Sequence, residues 1–167
     1  MKYCPNCKSD LFTRHIDHFE RLLCSDKNCG YVHWGNPVAV VLILVDLEGK
    51  YILARNASWP KSRFSLISGY VDANETLEQT ALREVNEELG LVGRSPSYIG
   101  SYPFTRNNQI VIAYCLKAKG KIVLNDELSE VIYLSSTELL QYDFNEFDLT
   151  ANIIRDWKKG RVSSENI

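Results

Sequence analysis

The fold is decided by the stretch from Gly69 to Leu91, which reads GYVDANETLEQTALREVNEELGL. Its second half predicts a helix, because Thr76 and Gln79 have the spacing of an N-terminal capping box and Gly90 stands where a helix would end. Apolar side chains recur at four-residue intervals and would form the buried stripe of this helix: Leu77, Ala81, Val85 and Leu89. We therefore predict a strand that ends at Gly69, a loop and an amphipathic helix.

Three glutamates, Glu84, Glu87 and Glu88, lie on this helix with Arg83 as the neighbouring cation. At about 100° per residue, Glu84 and Glu88 project from nearly the same angle and border the apolar stripe, whereas Glu87 turns toward solvent and can pair with Arg83. Half-shielded carboxylates repel one another unless a cation compensates them, and such oxygen ligands suit Mg²⁺ or Mn²⁺. The alternative is a solvated acidic helix face, which the partial burial of two glutamates disfavours.

The complete spacing, from Gly69 through Glu75 to the run REVNEELGL, resembles the Nudix box at all nine of its fixed positions. The box is the signature of the Nudix hydrolases. This resemblance implies an α/β/α sandwich with a mixed sheet. It also implies a divalent-metal hydrolase that cleaves the pyrophosphate bond of a nucleoside diphosphate linked to another group.

The resemblance further assigns roles within the box. Glu84 and Glu88 would be the principal metal ligands, and Glu87 would be a further ligand or the base that activates the attacking water. Arg83 and Glu75 would brace the loop and helix, while the box glycine would permit a sharp bend.

Relatives contribute one more carboxylate from the region NDELSEVIYLS, residues 125–135. We expect Glu127 to be this fourth metal ligand. For Glu130, a surface position at the entry to a strand is an equally supported interpretation.

Four of the five cysteines lie within the first 29 residues, as the pairs Cys4 with Cys7 and Cys24 with Cys29. Two close pairs can form a tetrahedral structural Zn²⁺ site, which would stabilise a segment too short for its own core. Two disulfides, or a site that has lost its metal, are the alternatives. Cys115 lies in an apolar strand and is predicted to be a buried thiol. The three histidines of the segment are expected to be exposed rather than ligands: His15, His18 and His33.

The composition changes near residues 34–37, so we predict a zinc ribbon over 1–34 and a Nudix domain over 35–167. In the second part, further strands are expected at 37–46, 51–56, 65–69, 109–118, 121–124 and 131–135, with a 46–50 hairpin turn. A short helix beginning at Ser135 and a final helix ending near Gly160 complete the predicted α/β domain.

The order of ribbon, apolar strand and Nudix box resembles the zinc-ribbon branch that includes NADH pyrophosphatases. Members of that branch commonly carry a further N-terminal domain, which we expect this chain to lack. The substrate implied is a dinucleotide such as NADH or NAD, cleaved to mononucleotides. The nicotinamide marker of that branch, SQPWPFPxS, is only partly retained as SYPFTRNNQ at 101–109, so ADP-ribose and FAD stay as alternatives.

The same segment and the loop before Gly69 supply the predicted substrate contacts. Tyr102 and Phe104 could stack on a base, and Arg106 could meet a phosphate. Arg63, with Arg55 and Lys61, is a further candidate for phosphate binding. Strand-end packing and solvated cations are the alternatives for these residues.

The net charge of -2 conceals a division, since residues 72–88 hold six acids and one base and the remaining 150 residues total +3. A mildly basic body around bound cations would attract a polyanionic substrate. No apolar run of about 18 residues and no signal segment is present, so a cytoplasmic protein without membrane spans is expected.

Two other functions, and a homodimeric state, are alternatives. Cap removal from RNA, or RNA binding through the ribbon, is not favoured, because the first 36 residues hold five basic and four acidic residues without a basic stripe. A non-catalytic nucleotide sensor is disfavoured by the complete glutamate set. A homodimer is an alternative to a monomer.

Overall fold

The computed structural model describes residues 1–144 and 148–164. The chain forms two compact units, Met1–Pro37 and Val38–Ile167.

The first unit contains a three-stranded antiparallel sheet in the order β1-β2-β3. Its strands are β1 (Leu11–Ile16), β2 (Phe19–Cys24) and β3 (Val32–His33). A two-residue turn joins β1 to β2, and both of its residues, Asp17 and His18, have positive φ angles of 48° and 70°. Such left-handed turns match the twist of a hairpin and fix the register of the flanking strands.

The second unit is built on a six-stranded mixed sheet. Its strands are β4 (Val38–Leu47), β5 (Lys50–Asn56), β6 (Ile67–Tyr70), β7 (Val92–Phe104), β8 (Gln109–Lys119) and β9 (Leu128–Leu134). The order is β7-β8-β4-β5-β9, and β6 pairs with the first half of β4. The β4–β8 pairing is parallel and the other pairings are antiparallel.

Helices cover both faces of this sheet: α1 (Leu77–Leu89) on one side, and α2 (Ser136–Gln141) with α3 (Asp148–Ser164) on the other. The apolar run in β4 serves both layers, because alternate side chains point to opposite faces. Val41 and Ile43 pack in the α1 layer, whereas Val40 and Leu44 pack in the layer of α3. The predicted α/β/α sandwich with a mixed sheet is therefore confirmed.

Three local predictions are wrong. Residues 121–124 do not form a strand; instead the Val123 amide donates to the Leu89 carbonyl, so this segment satisfies the open end of α1. The last helix continues beyond Gly160 to Ser164. Cys115 is only partly buried.

No helix among residues 1–144 and 148–164 has the length and apolar character needed to cross a membrane.

Candidate active site and metal centre

Helix α1 is fixed at both ends by the signals that its sequence carries. At its start, the Gln79 amide donates to the Thr76 hydroxyl (3.2 Å) and the Thr76 amide donates to the Gln79 side-chain oxygen (2.8 Å). At its end, Gly90 adopts the left-handed conformation (φ 67°), and its amide donates to the carbonyls of Asn86 and Val85. The capping-box prediction is confirmed, and the register of the glutamates in the last two turns is set by these caps.

The burial of the three box glutamates follows their angular positions on α1. Glu88 is 7% exposed, the Glu84 side chain is 12% exposed, and the Glu87 side chain is 55% exposed. Glu84 and Glu88 thus border the core, and Glu87 reaches solvent, as the helical spacing predicts.

Gly69 in β6 lies directly against the Glu84 carboxyl group. A Cβ atom added to Gly69 would stand 1.9 Å from both Cδ and Oε1 of Glu84. Glycine is required here by the close approach of a side chain to the strand backbone.

Arg83 ties the loop, the strand and the helix together. Its guanidinium donates to both Glu75 carboxylate oxygens (2.7 and 3.0 Å), to Glu84 (2.7 Å), to Glu87 (3.1 Å) and to the Tyr70 carbonyl (3.1 Å). The Arg83 hydrogen bonds lower the pKa of Glu75 to about 2. The same carboxylates raise the pKa of Arg83, so this group stays charged. Arg83 and Glu75 therefore form a brace.

The carboxylates near this brace are not fully neutralised. Burial raises the pKa of Glu88 to about 8, and the charges of Glu84, Glu127 and Glu87 add to the effect. Burial also raises the pKa of Glu84, against the opposing effect of Arg83. Among the described residues, no cationic side chain lies within ion-pair distance of Glu88. A buried carboxylate without a cation fits a divalent-metal ligand.

A cavity of about 560 Å³ opens beside these carboxylates. Its described wall holds five acidic side chains and one basic side chain: Asp72, Glu84, Glu87, Glu88, Glu127 and Arg83. Aromatic and apolar side chains form the rest of the wall, including Trp59, Tyr70 and Phe104. The volume lies within the range of small-molecule sites. The cavity is thus lined by carboxylates and by aromatic rings.

The glutamate oxygens are not gathered as tightly as the ligands of a closed metal site. In the described chain, the cysteine thiols are the set of three or more metal-binding side chains whose ligand atoms converge within 4.8 Å. Arg83 holds oxygens of Glu84 and Glu87 instead. This open arrangement is typical of Mg²⁺ sites, where substrate oxygens and waters supply the remaining ligands.

The predicted ligand Glu127 lines the cavity. Glu130 does not belong to its described wall and pairs with Arg55 at 3.3 Å. The structure thus places Glu127 at the cavity and Glu130 outside its described wall, although the two residues are only three positions apart.

Of the predicted substrate contacts, Phe104 lies in the cavity wall, whereas the described wall does not include Tyr102, Arg106 or Arg63. The Tyr102 hydroxyl donates to Asp156 on α3 (3.0 Å). Arg106 lies in a 3₁₀ turn, Thr105–Asn107, from which the neighbouring asparagine reaches the cavity. The guanidinium of Arg63 lies over the Trp59 ring, 5.3 Å from its centroid.

Sequence reasoning missed several residues of the described cavity wall, among them Asp72, Trp59, Tyr70 and Gln109. The side-chain nitrogen of Gln109 donates to the Tyr70 hydroxyl (3.0 Å), which links β8 to β6 in the cavity wall. Tyr70 could have been found, since it directly follows the box glycine at a strand end. Trp59 had no comparable signal, because its loop carries no periodic pattern.

The four N-terminal cysteines come together in the first unit. Their Sγ atoms all lie within 4.8 Å of one another, with Cys4 to Cys29 at 3.6 Å and Cys7 to Cys24 at 3.3 Å. All are free thiols. A tetrahedron with Zn–S bonds of about 2.3 Å has sulfur–sulfur edges of roughly 3.8 Å, close to these distances. This cluster could hold a metal ion.

The thiols of the cluster differ in acidity. Hydrogen bonds involving Ser9 lower the pKa of Cys7 to about 6, whereas burial raises the pKa of Cys24. Because a thiol must lose its proton to bind a metal ion, burial opposes that step at Cys24.

The sandwich fold and the carboxylate helix beside a cavity define a class of proteins that binds divalent cations next to a small molecule. The chain belongs to the Nudix family, because the NUDIX domain model matches residues 35–154.

Two relatives show which proteins of the Nudix family this chain resembles. An NAD-capped RNA hydrolase NudC of Vibrio atlanticus is 28% identical over 142 residues, which are 83% of this chain and 51% of that protein. The protein of the same name from Mycobacterium tuberculosis is 42% identical over 71 residues, 41% of this chain and 23% of that protein. The chain thus spans about half or less of the length of these relatives.

Solved structures agree on the fold. A NUDIX hydrolase from Nitrosomonas europaea superposes with a TM-score of 0.81 at 23% identity, covering 98% of this chain and 93% of that one. The E. coli ORF135 protein superposes with a TM-score of 0.62 at 22% identity, covering 77% and 93% respectively.

Proposed function

We propose that this protein is a Mg²⁺- or Mn²⁺-dependent pyrophosphohydrolase that cleaves the diphosphate bridge of a dinucleotide such as NADH or NAD into two mononucleotides. The carrying observation is the cavity, whose described wall combines five acidic side chains and one arginine with aromatic side chains. A diphosphate carried by divalent cations matches the charged side chains, and a planar base matches the aromatic ones. The names of the NudC relatives support this choice of substrate.

The residues that would hold the cation are Glu84, Glu87, Glu88 and Glu127. When bound, Mg²⁺ or Mn²⁺ neutralises diphosphate oxygens and lowers the pKa of water. Glu87 is the most exposed of the three box carboxylates, so it is placed to accept the proton of an attacking water. Arg83 holds the Glu84 and Glu87 carboxylates in place and supplies a fixed positive charge.

The dinucleotide base would stack on the aromatic side chains of the cavity wall. Phe104 and Tyr70 offer ring surfaces there, and Trp59 carries the Arg63 guanidinium on its ring. Tyr102 acts indirectly, by holding α3 through Asp156. Arg63 and Arg106 are both candidates for a phosphate contact, because each lies beside a residue of the cavity wall, Trp59 and Asn107 respectively.

Chromatographic product analysis tests the proposal. The zinc-loaded protein is incubated with Mg²⁺ or Mn²⁺ and NADH, NAD, ADP-ribose, FAD or a diadenosine polyphosphate. Mononucleotide release from NADH or NAD is expected, and release from none of these compounds would refute the hydrolase.

Two variants link that activity to the site. Glu87→Gln and Glu88→Gln should each lower kcat by at least about 100-fold, because each removes a carboxylate from proton transfer or cation binding. Glu130→Gln is the matched control, since its carboxylate pairs with Arg55 outside the described wall, and its kcat should change less than about threefold. Equal losses in all three variants would contradict the assignment.

Removal of an NAD cap from RNA is a second candidate, favoured by the similarity to NAD-capped RNA hydrolases. The bond cleaved would be the same as in free NAD. Comparing kcat/KM for NAD-capped RNA and for NADH decides between them. ADP-ribose and FAD are the remaining alternatives, and the substrate panel ranks them in the same way.

The proposal also includes a structural Zn²⁺ on the four cysteines, in a zinc ribbon over 1–34 ahead of a Nudix domain over 35–167. Free thiols at these distances support it, and metal analysis should find about one tightly held zinc per chain. A cytoplasmic location belongs to the same proposal, because a reducing compartment keeps clustered cysteines available for zinc. Sedimentation analysis will decide between a monomer and a homodimer.

A further inference from the structure

Glu127 differs from the three box glutamates in the kind of backbone that carries it. Helix α1 fixes Glu84, Glu87 and Glu88, whereas Glu127 stands in the turn between the segment 121–124 and β9. Its side chain is exposed and yet lines the cavity with the other three carboxylates. Its charge adds to the effect of burial in raising the pKa of Glu88, so these two carboxylates are within electrostatic reach. An exposed side chain in a turn needs its own means of staying in place.

The side chain of Asn125 closes this turn. Its Oδ1 atom accepts hydrogen bonds from the backbone amides of Glu127 (3.1 Å) and Leu128 (3.3 Å). An asparagine that binds the amides two and three residues further on imposes a local turn on the backbone. Leu128 then begins β9 and packs against the apolar layer below α1. The backbone that carries the Glu127 carboxylate is therefore fixed before it and after it.

Two backbone hydrogen bonds join this turn to the rest of the cavity. The Asn125 amide donates to the Glu88 carbonyl (3.3 Å), and the Glu127 carbonyl accepts from the Ala57 amide (2.8 Å). Residue 57 lies in the loop that places Trp59 in the cavity wall. A short path thus runs from the backbone of Glu88 through Asn125 to the backbone of Glu127.

We propose that Asn125 is a positioning residue for the catalytic cation, because its side chain holds Glu127 in place beside Glu88 before the cation binds. The inference rests on the proposed function, in which Glu127 is a metal ligand. A ligand held in place in advance loses little conformational freedom on binding, whereas a mobile one must be ordered at the expense of affinity. Side chains that orient metal ligands from outside contribute about 10- to 100-fold in metal affinity or activity.

A role in stability alone is the alternative, and the chain offers a matched comparison for it. The Asp46 carboxylate accepts from the Gly49 amide (2.8 Å) and so closes the turn between β4 and β5 in the same way. Asp46 does not belong to the described cavity wall. If Asn125 only stabilised its turn, replacing either residue with alanine would leave cation binding unchanged.

Mg²⁺ titrations of the full-length, zinc-loaded protein test the proposal. The apparent dissociation constant for Mg²⁺ is measured twice, from the dependence of the Tm on Mg²⁺ and from initial rates of NADH hydrolysis. Asn125→Ala removes Oδ1 but keeps the backbone bond to Glu88, and should raise both constants about tenfold. At saturating Mg²⁺ its kcat should change less than about threefold, because the cation can then gather Glu127 itself. Asp46→Ala should keep both constants within about twofold of the parent, whatever its Tm without Mg²⁺.

Two further variants separate positioning from stability. Asn125→Asp keeps an oxygen that can accept from both amides, so its Mg²⁺ binding should be no more than about twofold weaker than that of the parent. In a Glu127→Gln background, Asn125→Ala should weaken Mg²⁺ binding by less than about twofold more, because the ligand that it positions is already gone. Circular dichroism without Mg²⁺ shows whether each variant is folded.

The proposal is overturned if Asn125→Ala and Asp46→Ala bind Mg²⁺ equally well, or if Asn125→Asp loses as much affinity as Asn125→Ala. An undiminished effect in the Glu127→Gln background, or a parent whose Tm does not respond to Mg²⁺, would overturn it as well. The Tm titration needs no turnover. A protein that hydrolyses none of the test compounds would therefore refute the hydrolase, while the same variants would still decide the role of Asn125.

Discussion

Glu88 is the carboxylate whose surroundings differ most from water. With its pKa raised to about 8, it keeps its proton in the folded protein over a range where the unfolded chain has released it. The stability that this group contributes is fully present below about pH 4.5 and is lost as the pH rises toward 8. A bound divalent cation would replace the proton and remove the penalty.

Thermal unfolding at different pH values tests this behaviour. In zinc-loaded protein without Mg²⁺, the free energy of unfolding should fall by at most about 1.4 kcal/mol per pH unit between pH 5 and 8 through this group. Glu88→Gln should flatten that dependence, with Glu130→Gln as control. Added Mg²⁺ should raise the Tm more at pH 8 than at pH 5; equal increments would contradict the assignment of Glu88 as a ligand.

Gly69 allows a second prediction for a single residue. In Gly69→Ala, the new methyl group overlaps the Glu84 carboxyl group, so this side chain must leave its position beside the strand. We expect kcat to fall on the order of 100-fold, since misplaced groups lose rate steeply. Far-UV circular dichroism should stay unchanged. Gly49→Ala is the contrasting substitution, because an added Cβ there meets no atom within 4 Å and only backbone strain at φ 85° is introduced.

The site residues that the sequence predicts correctly are those that lie on the regular helix α1. The spacing on α1 was enough to foresee that Glu84 and Glu88 are buried and that Arg83 meets Glu87. Trp59 could not be predicted, because it reaches the cavity from a loop. Gln109 could not be predicted, because it reaches the cavity only through the pairing of strands that are distant in the sequence. Tyr102 was misplaced for a similar reason, as its partner Asp156 is 54 positions away.

At the scale of elements, α1 is the one whose boundaries its own sequence fixes most completely. Both capping signals lie within or next to the helix, and its buried stripe has a regular spacing. By contrast, β7 was not predicted. Its 13 residues alternate irregularly between exposed and partly buried, with register shifts near Ser97 and Gly100 and two prolines inside the strand.

The segment 121–124 shows how an apolar run can be misread. It has the composition of a strand, but the amides of Val123 and Asn125 donate to the carbonyls of Leu89 and Glu88 at the end of α1. The apolar composition misleads on burial as well, because Val123 is 65% exposed and no residue of 121–124 is fully buried. The contact with the end of α1 ties the turn that bears Glu127 to the helix that bears Glu88.

The N-terminal cap of α1 is expected to contribute to the stability of the protein. Thr76→Ala removes the hydroxyl that accepts from the Gln79 amide, and should lower the free energy of unfolding by about 1 kcal/mol. The expected fall in Tm is roughly 2–4 °C for a chain of this size. Thr137→Ala, within α2 and exposed, is the matched control and should be neutral or slightly stabilising. A loss as large in the control would show that the cap is not the cause.

At the scale of the whole molecule, the two units rest on different sources of stability. The second unit has two apolar layers, one on each face of its sheet. The first unit places its rings on an exposed face and brings four thiols together instead. The sequence predicts the division into two units, because the composition changes between them. It does not predict which side chains share one face of the three-stranded sheet, because the short strands have no clear alternation of polar and apolar residues.

Removal of the metal should therefore affect one unit selectively. A strong chelator should unfold Met1–Pro37 and leave Val38–Ile167 folded, since the second unit does not depend on the cysteines. Limited proteolysis with mass analysis should find new cleavage sites confined to the first unit. Cleavage throughout the chain, or no new site at all, would contradict this prediction.

The parallel pairing of β4 with β8 has a consequence for the order of folding. It joins residues that are 71 positions apart, because Val38 pairs with Gln109. During synthesis, the centre of this sheet cannot close until the ribosome has released β8, whereas the β1–β2 hairpin joins neighbours and can form as soon as it emerges. Until then β4, the most apolar strand, has no partner along that edge. The slow step of folding is expected to be the arrival of β8.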